Sequence, residues 1–197
     1  VDISLSCYHT CAFNDENRNA LQQKVPFKSL STTPQWLGQG YYFWTDSDYY
    51  AREWGVKHYN SKYAINKFIV TVPRNLFFDL VGNVDHQLKF LNYESDYNVF
   101  LDKFLNAPGS SEKQRSRRKL ITGMRKKGVT VSSLFWVLRQ LREIDYKVVK
   151  AYDIPPSTRS IRFIDKECIS LPTRQQIVVY PEAKEKMVTH ISWVFPP

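Results

Sequence analysis

Residues 3–11, "ISLSCYHTC", alternate: Ile3, Leu5, Cys7, His9 and Cys11 fall on one face and Ser4, Ser6, Tyr8 and Thr10 on the other. That period of two predicts a strand with one buried face. The polar stretch "FNDENRNALQQK" predicts a loop leading into a short helix. "TTPQWLGQGYYFWTD" predicts a turn with two glycines and then an aromatic strand, Tyr41–Trp44. "TDSDYYAREWGVKHY" opens with a candidate helix cap at Asp46 or Ser47, and Ala51, Trp54 and Val56 are expected to face the core or a cleft. "NKFIVTVP" predicts a strand ended by Pro73, and "NLFFDLV" another short one.

From about Asn83 to Lys150 the period changes. "VDHQLKFLNYESDYNVFLDKFLN" and "VSSLFWVLRQLREIDYKVVKAYD" carry apolar residues at helical spacing. Between them lie Lys113, Arg115, Arg117, Arg118, Lys119, Arg125, Lys126 and Lys127, with no acidic residue from Lys113 to Lys127. "RSIRFID", "RQQIVVY" and "HISWVF" then return to strands. No internal repeat is visible. The expected fold is α+β, one domain over 1–197, with a helical, basic insertion at about 83–150.

Composition sharpens this picture. Hydrophobic residues at 43% and aromatics at 15% sustain a core, which argues against a disordered chain. No apolar run reaches the roughly 18 residues of a membrane span, so no membrane partner is expected. The start "VDISLSCYHT" lacks the basic and apolar regions of a signal peptide. Three cysteines do not make a disulfide framework and point to a reducing compartment, the cytoplasm. The net charge of +9 favours a polyanionic partner, whether nucleic acid, an anionic surface or an acidic protein, over an ordinary solvated basic face.

The candidate chemistry begins at His9. Cys7, His9 and Cys11 share a strand face, but residues two apart on a face lie about 7 Å from each other. Three so spaced do not grip one tetrahedral ion, and His58, His86 and His190 are isolated. No metal is expected. Neither thiol has a motif that would activate it as a nucleophile beside His9.

Three segments carry a resemblance. Tyr8-His9-Thr10, then Gly38-Gln39-Gly40-Tyr41-Tyr42-Phe43 followed by Ala51 and Trp54, and last Arg174-Gln175-Gln176-Ile177-Val178-Val179-Tyr180 stand in this order. Together they resemble the His-Tyr-Glu class of ADP-ribosyltransferases, which includes diphtheria toxin, the poly-ADP-ribose polymerases and bacterial toxin domains. The resemblance covers the two strand-rich ends and not the helical block. Thr10 stands where the class often has glycine, and Gln176 where it has glutamate.

The resemblance implies a mixed two-sheet core and NAD as co-substrate. It implies that His9 hydrogen-bonds a ribose and that Thr10 presents backbone N–H and C=O to the nicotinamide amide. Tyr42, with Trp54 or Tyr50, would clamp the ring. His9, Tyr42 and Gln176 would be the catalytic set. At Gln176 an amide keeps a hydrogen bond but not the charge that opposes an oxocarbenium-like state. Three readings follow: a Glu-to-Gln substituted enzyme; a natural variant in which Gln176 positions substrate and another acid, Glu182 or Glu185, serves; or an inactive scaffold. The first predicts that Gln176→Glu raises turnover.

The arginine branch of the superfamily is a poor fit. "LSTTP" at Leu30–Pro34 is reminiscent of its Ser-Thr-Ser strand, but His9 stands where it wants arginine. The implied function is mono-ADP-ribosyl transfer by a toxin or effector, in a toxin–antitoxin or phage-defence setting. Its acceptor would be nucleic acid, RNA ahead of DNA, and its partner an antitoxin or immunity protein. The alternatives are a protein acceptor, or a non-catalytic nucleic-acid-binding module on the same scaffold.

Overall fold

A computed structural model describes residues 1–14, 21, 24–30, 35–153, 161–162, 168–169 and 173–196. The loop and short helix expected before Lys24 lie largely outside these residues, as do Ser31–Pro34 and most of "RSIRFID".

The longest pairing joins β1 (Asp2–Ala12) to β3 (Tyr63–Pro73), antiparallel from Asp2 opposite Pro73 to Ala12 opposite Tyr63. To these are added β2 (Tyr41–Thr45), β4 (Phe77–Asp79), β5 (Val148–Tyr152), β8 (Gln175–Val179) and β9 (Val188–Phe195). They form one seven-stranded sheet in the order β4-β5-β8-β2-β1-β3-β9, antiparallel except for β4 beside β5. Two-residue strands β6 (Ile161–Arg162) and β7 (Cys168–Ile169) pair separately. The fold is thus mixed α+β, and seven of the described strands lie in one continuous sheet. The reason is the seam between β1 and β2, where Cys7 opposite Thr45 and Tyr8 opposite Trp44 still hold the halves together.

Six helices occur among the described residues: α1 (Tyr49–Tyr59), α2 (Val84–Ser95), α3 (Tyr97–Asn106), α4 (Ser111–Lys127), α5 (Val131–Gln140) and the short α6 (Lys184–Met187). Capping explains two starts. Ser110 accepts from the Lys113 N–H, and Thr130 and Ser133 form a reciprocal capping box. The apolar rows of α3, α4 and α5 bury Phe100, Leu101, Ile121, Leu134, Phe135 and Leu138 against Phe78, Val149, Val178 and Tyr180. The opposite face of these strands buries Phe77, Val148, Ile177 and Val179 with Cys7, Phe43 and Phe68. A sheet covered on both sides explains why "QIVVY" reads as a continuous apolar run.

The helical block is shorter than expected. Its last helix ends at Gln140, and "KVVKAY" supplies β5, a central strand. A short apolar run has no period that separates helix from strand, and its place between β4 and β8 decides it. Asp48 precedes α1 but makes no side-chain cap; of the two expected caps, Ser47 accepts from the Tyr49 N–H at 3.2 Å, while Asp46 takes a left-handed φ of 68° and turns the chain. Ala51 faces the sheet, while Val56, five residues on and so on another side of the helix, is exposed. Among the described residues no helix is long and apolar enough to cross a membrane.

Candidate functional site

The site grows from the seam. Ser6 accepts a hydrogen bond from Asp46 N–H at 2.9 Å, so its carbonyl points across to β2. Backbone direction alternates along a strand, so Tyr8 and Thr10 point the same way. Continued register would pair Thr10 with Tyr42. The His9 imidazole intervenes, and its Nδ1 lies 2.9 Å from the Tyr42 carbonyl oxygen. Its Nε2 accepts from the Phe27 N–H at 3.2 Å. The Nε2 is an acceptor, so the proton sits on Nδ1, which donates to Tyr42. The strands therefore splay beyond Tyr8, and the Thr10 backbone faces the gap.

The gap is a cavity of about 710 Å3. His9, Thr10, Tyr42, Trp54 and Gln176 all line it, with Phe27, Lys28, Trp36, Trp44, Tyr59 and Asp153 among their neighbours. Its volume lies within the 300–1,000 Å3 typical of small-molecule sites, and its wall is mostly apolar and aromatic with a few polar groups. Five residues drawn from three separate sequence motifs thus meet at one place.

Their individual roles differ from expectation in three respects. His9 is buried, and both ring nitrogens are engaged by backbone, so it braces the cavity wall and does not offer a nitrogen to a ribose. Burial holds its pKa below the ordinary value, against the opposing pull of the Tyr42 carbonyl. Tyr42 turns its ring to the cavity, but its hydroxyl donates to Gly38 O at 2.8 Å and accepts from Leu37 N–H at 3.0 Å. It ties down a turn in which Gly38 has a φ of 89°. Burial pushes its phenol up. Tyr50 is not part of the wall: its hydroxyl is 2.8 Å from Thr173 Oγ1 and its ring packs on Tyr49 and Trp44. Helical spacing moves its side chain one position round from Ala51, away from the gap.

Thr10 anchors α1 by donating its hydroxyl to Ala51 O at 2.9 Å. Trp54 is half exposed at the rim and stacks on His58 with centroids 3.8 Å apart. Gln176 is buried opposite Trp44 and Ala151, and its Oε1 accepts from Trp36 Nε1 at 3.1 Å. The fallback acids do not reach it. Glu182 lies past the far end of β8, paired with Arg139 at 3.0 Å, and Glu185 pairs with Lys184. Trp36 and Asp153 were missed. A tryptophan beside a Gly-rich turn was a usable signal for Trp36. Asp153 had none, because its strand reads as helix.

Burial raises the Cys7 thiol to about 12 and the Cys11 thiol to about 11, so neither is an activated nucleophile. Among the described residues no group of three or more His, Cys, Asp or Glu side chains is placed to hold a metal.

The basic run forms α4. Arg115, Arg118, Lys119 and Lys126 recur at i, i+3, i+4 and i+11 and make one exposed stripe, flanked by exposed Lys113 and Lys127. Arg125 is exposed but paired with Asp102 at 2.5 Å. Arg117 departs from the expected nucleic-acid set. It is buried, donates to the carbonyls of Ala107 and Pro108, and lies 5.0 Å over the Phe104 ring. It sits on the inner face beside Ile121, where it satisfies the end of α3.

Neither a family profile, nor a curated protein, nor a solved structure matches this chain.

Proposed function

We propose that the cavity binds NAD and that the protein transfers ADP-ribose from it to nucleic acid, RNA ahead of DNA, as a cytoplasmic toxin or effector countered by an antitoxin or immunity protein. The observation that carries this reading is the convergence of His9, Thr10, Tyr42, Trp54 and Gln176, chosen on motif order, around one cavity. In this reading Thr10 offers backbone hydrogen bonds to the nicotinamide amide across the splayed seam. The rings of Tyr42, Trp36 and Trp54 supply flat apolar surface at low entropic cost. His9 holds the opening between β1 and β2. Gln176, oriented by Trp36, donates its amide N–H to a ribose oxygen. The exposed cations of α4 attract the polyanionic acceptor.

The test is incubation with labelled NAD and a mixture of RNA, DNA and protein, followed by nuclease or protease digestion. Label released by ribonuclease supports the reading. Label released by protease alone moves the acceptor to protein, and no label on any acceptor ends it.

A second reading rests on the uncharged amide at Gln176 together with the stripe of α4. In it the protein binds nucleic acid without catalysis. It predicts no nicotinamide release, even from Gln176→Glu.

A further inference from the structure

The cavity contains a carboxylate that the motifs do not nominate. Asp153 is the one acidic side chain among the described residues of its wall. It follows β5 directly, and its N–H donates to Arg174 O at 3.0 Å, which prolongs the β5–β8 pairing past Tyr152 opposite Gln175. Ala151 is opposite Gln176, so by alternation Asp153 lies on the Gln176 face, one strand over and two residues on. Its carboxylate is held by Arg174, with Oδ2 2.8 Å from Nη2. The Arg174 guanidinium is in turn fixed over Trp44 and Tyr50, 5.8 and 5.7 Å from the two ring centroids. An ordinary surface ion pair would be free to wander. Here the Asp153 side chain is 43% exposed, and it is the less exposed Arg174, at 27%, that the two rings hold in place.

We infer that Asp153 supplies the carboxylate that Gln176 lacks. The inference rests on the NAD reading above. The glycosidic bond of NAD breaks with its electron pair going to the nicotinamide ring nitrogen, which leaves as neutral nicotinamide. Positive charge develops on the ribose, and Asp153 opposes it. The acceptor oxygen or nitrogen then bonds to the ribose carbon, and its proton passes to the Asp153 carboxylate and on to water. Gln176 positions the sugar through its amide. An interaction made with charge that exists only in the transition state acts on kcat and spares binding.

The experiment measures nicotinamide release and NAD affinity, the latter by quenching of the cavity tryptophans, in the parent, Asp153→Asn, Arg174→Gln and Gln176→Glu. Asp153→Asn is expected to lower kcat by about 10²–10³ with NAD affinity kept within about threefold. Arg174→Gln breaks the same ion pair but keeps the carboxylate, and should lose less than about tenfold. A purely structural pair would make those two variants equivalent in rate. Release by Asp153→Asn at the parent's rate overturns the inference and leaves the NAD reading standing. So does a rise of about 10²–10³ in Gln176→Glu that Asp153→Asn, added to it, does not reduce. A parent that binds NAD but releases no nicotinamide also overturns it. A parent that neither binds NAD nor releases nicotinamide overturns both.

Discussion

Replacing His9 with alanine removes a two-sided brace between β2 and the segment at Phe27. The ring donates to Tyr42 O and accepts from Phe27 N–H, and it packs 5.8 Å from the Phe43 ring and 6.2 Å from the Phe27 ring. Each neutral hydrogen bond contributes about 1 kcal/mol, and a buried donor or acceptor left without a partner costs about 1–3 kcal/mol. The aromatic contacts add about 0.5–1.5 kcal/mol each at most. His9→Ala should therefore destabilise the protein by about 3–5 kcal/mol, a large share of a typical stability of about 5–15 kcal/mol. Glutamine offers an N–H to Tyr42 and a carbonyl to Phe27, so His9→Gln should recover about half of that loss. Urea unfolding followed by tryptophan fluorescence reads both values, provided the denaturant slope is unchanged. NAD affinity should follow stability, falling at least about tenfold in His9→Ala and recovering in His9→Gln. A loss below about 1 kcal/mol in His9→Ala, or no advantage of glutamine over alanine, would refute the brace.

Other consequences are open to measurement. The depressed pKa of buried His9 means that the unfolded chain takes up a proton below its ordinary value of 6.5 while the folded chain resists. Stability should be full above pH 6.5 and fall as pH drops below it, and His9→Gln should flatten that fall, leaving the share of His86, whose pKa burial also lowers; melting temperatures from pH 7.5 to 5 decide this. Neutralising Arg115, Arg118, Lys119 and Lys126 together should weaken RNA binding and reduce its log–log salt slope by about 0.7 per lost contact, with unfolding unchanged. Arg117→Gln should do the reverse, costing about 2–3 kcal/mol of stability with little effect on the slope. Gly40→Ala would place a Cβ 2.5 Å from Val178 Cγ2 and 2.7 Å from Val179 O, so a loss of about 1–3 kcal/mol is expected in denaturant unfolding; a neutral substitution would mean that β2 and β8 are not so closely apposed.

Local sequence determined the elements whose signals are local. The alternation in Ile3–Cys11 specified β1 and put His9 with Cys7 and Cys11 on one face, and the aromatic run specified β2. The helical rows around the basic block specified α2 to α5, and "QIVVY" specified β8. The motif order also sufficed to name His9, Thr10, Tyr42, Trp54 and Gln176 as neighbours, since a short motif marks a backbone shape that the fold must then bring together. Tertiary structure decided the rest, for reasons of range. "KVVKAY" became β5 because its partners are Phe77–Asp79 and Gln175–Val179, which no local period reports. Arg117 left the basic surface because helix spacing turned it onto the end of α3. His9 exchanged a ligand role for a bracing one because Phe27 and Tyr42, distant in the chain, arrive at its two nitrogens. Asp153 entered the cavity only because β5 lies beside β8, so a carboxylate 23 residues before Gln176 in the chain stands next to it in space.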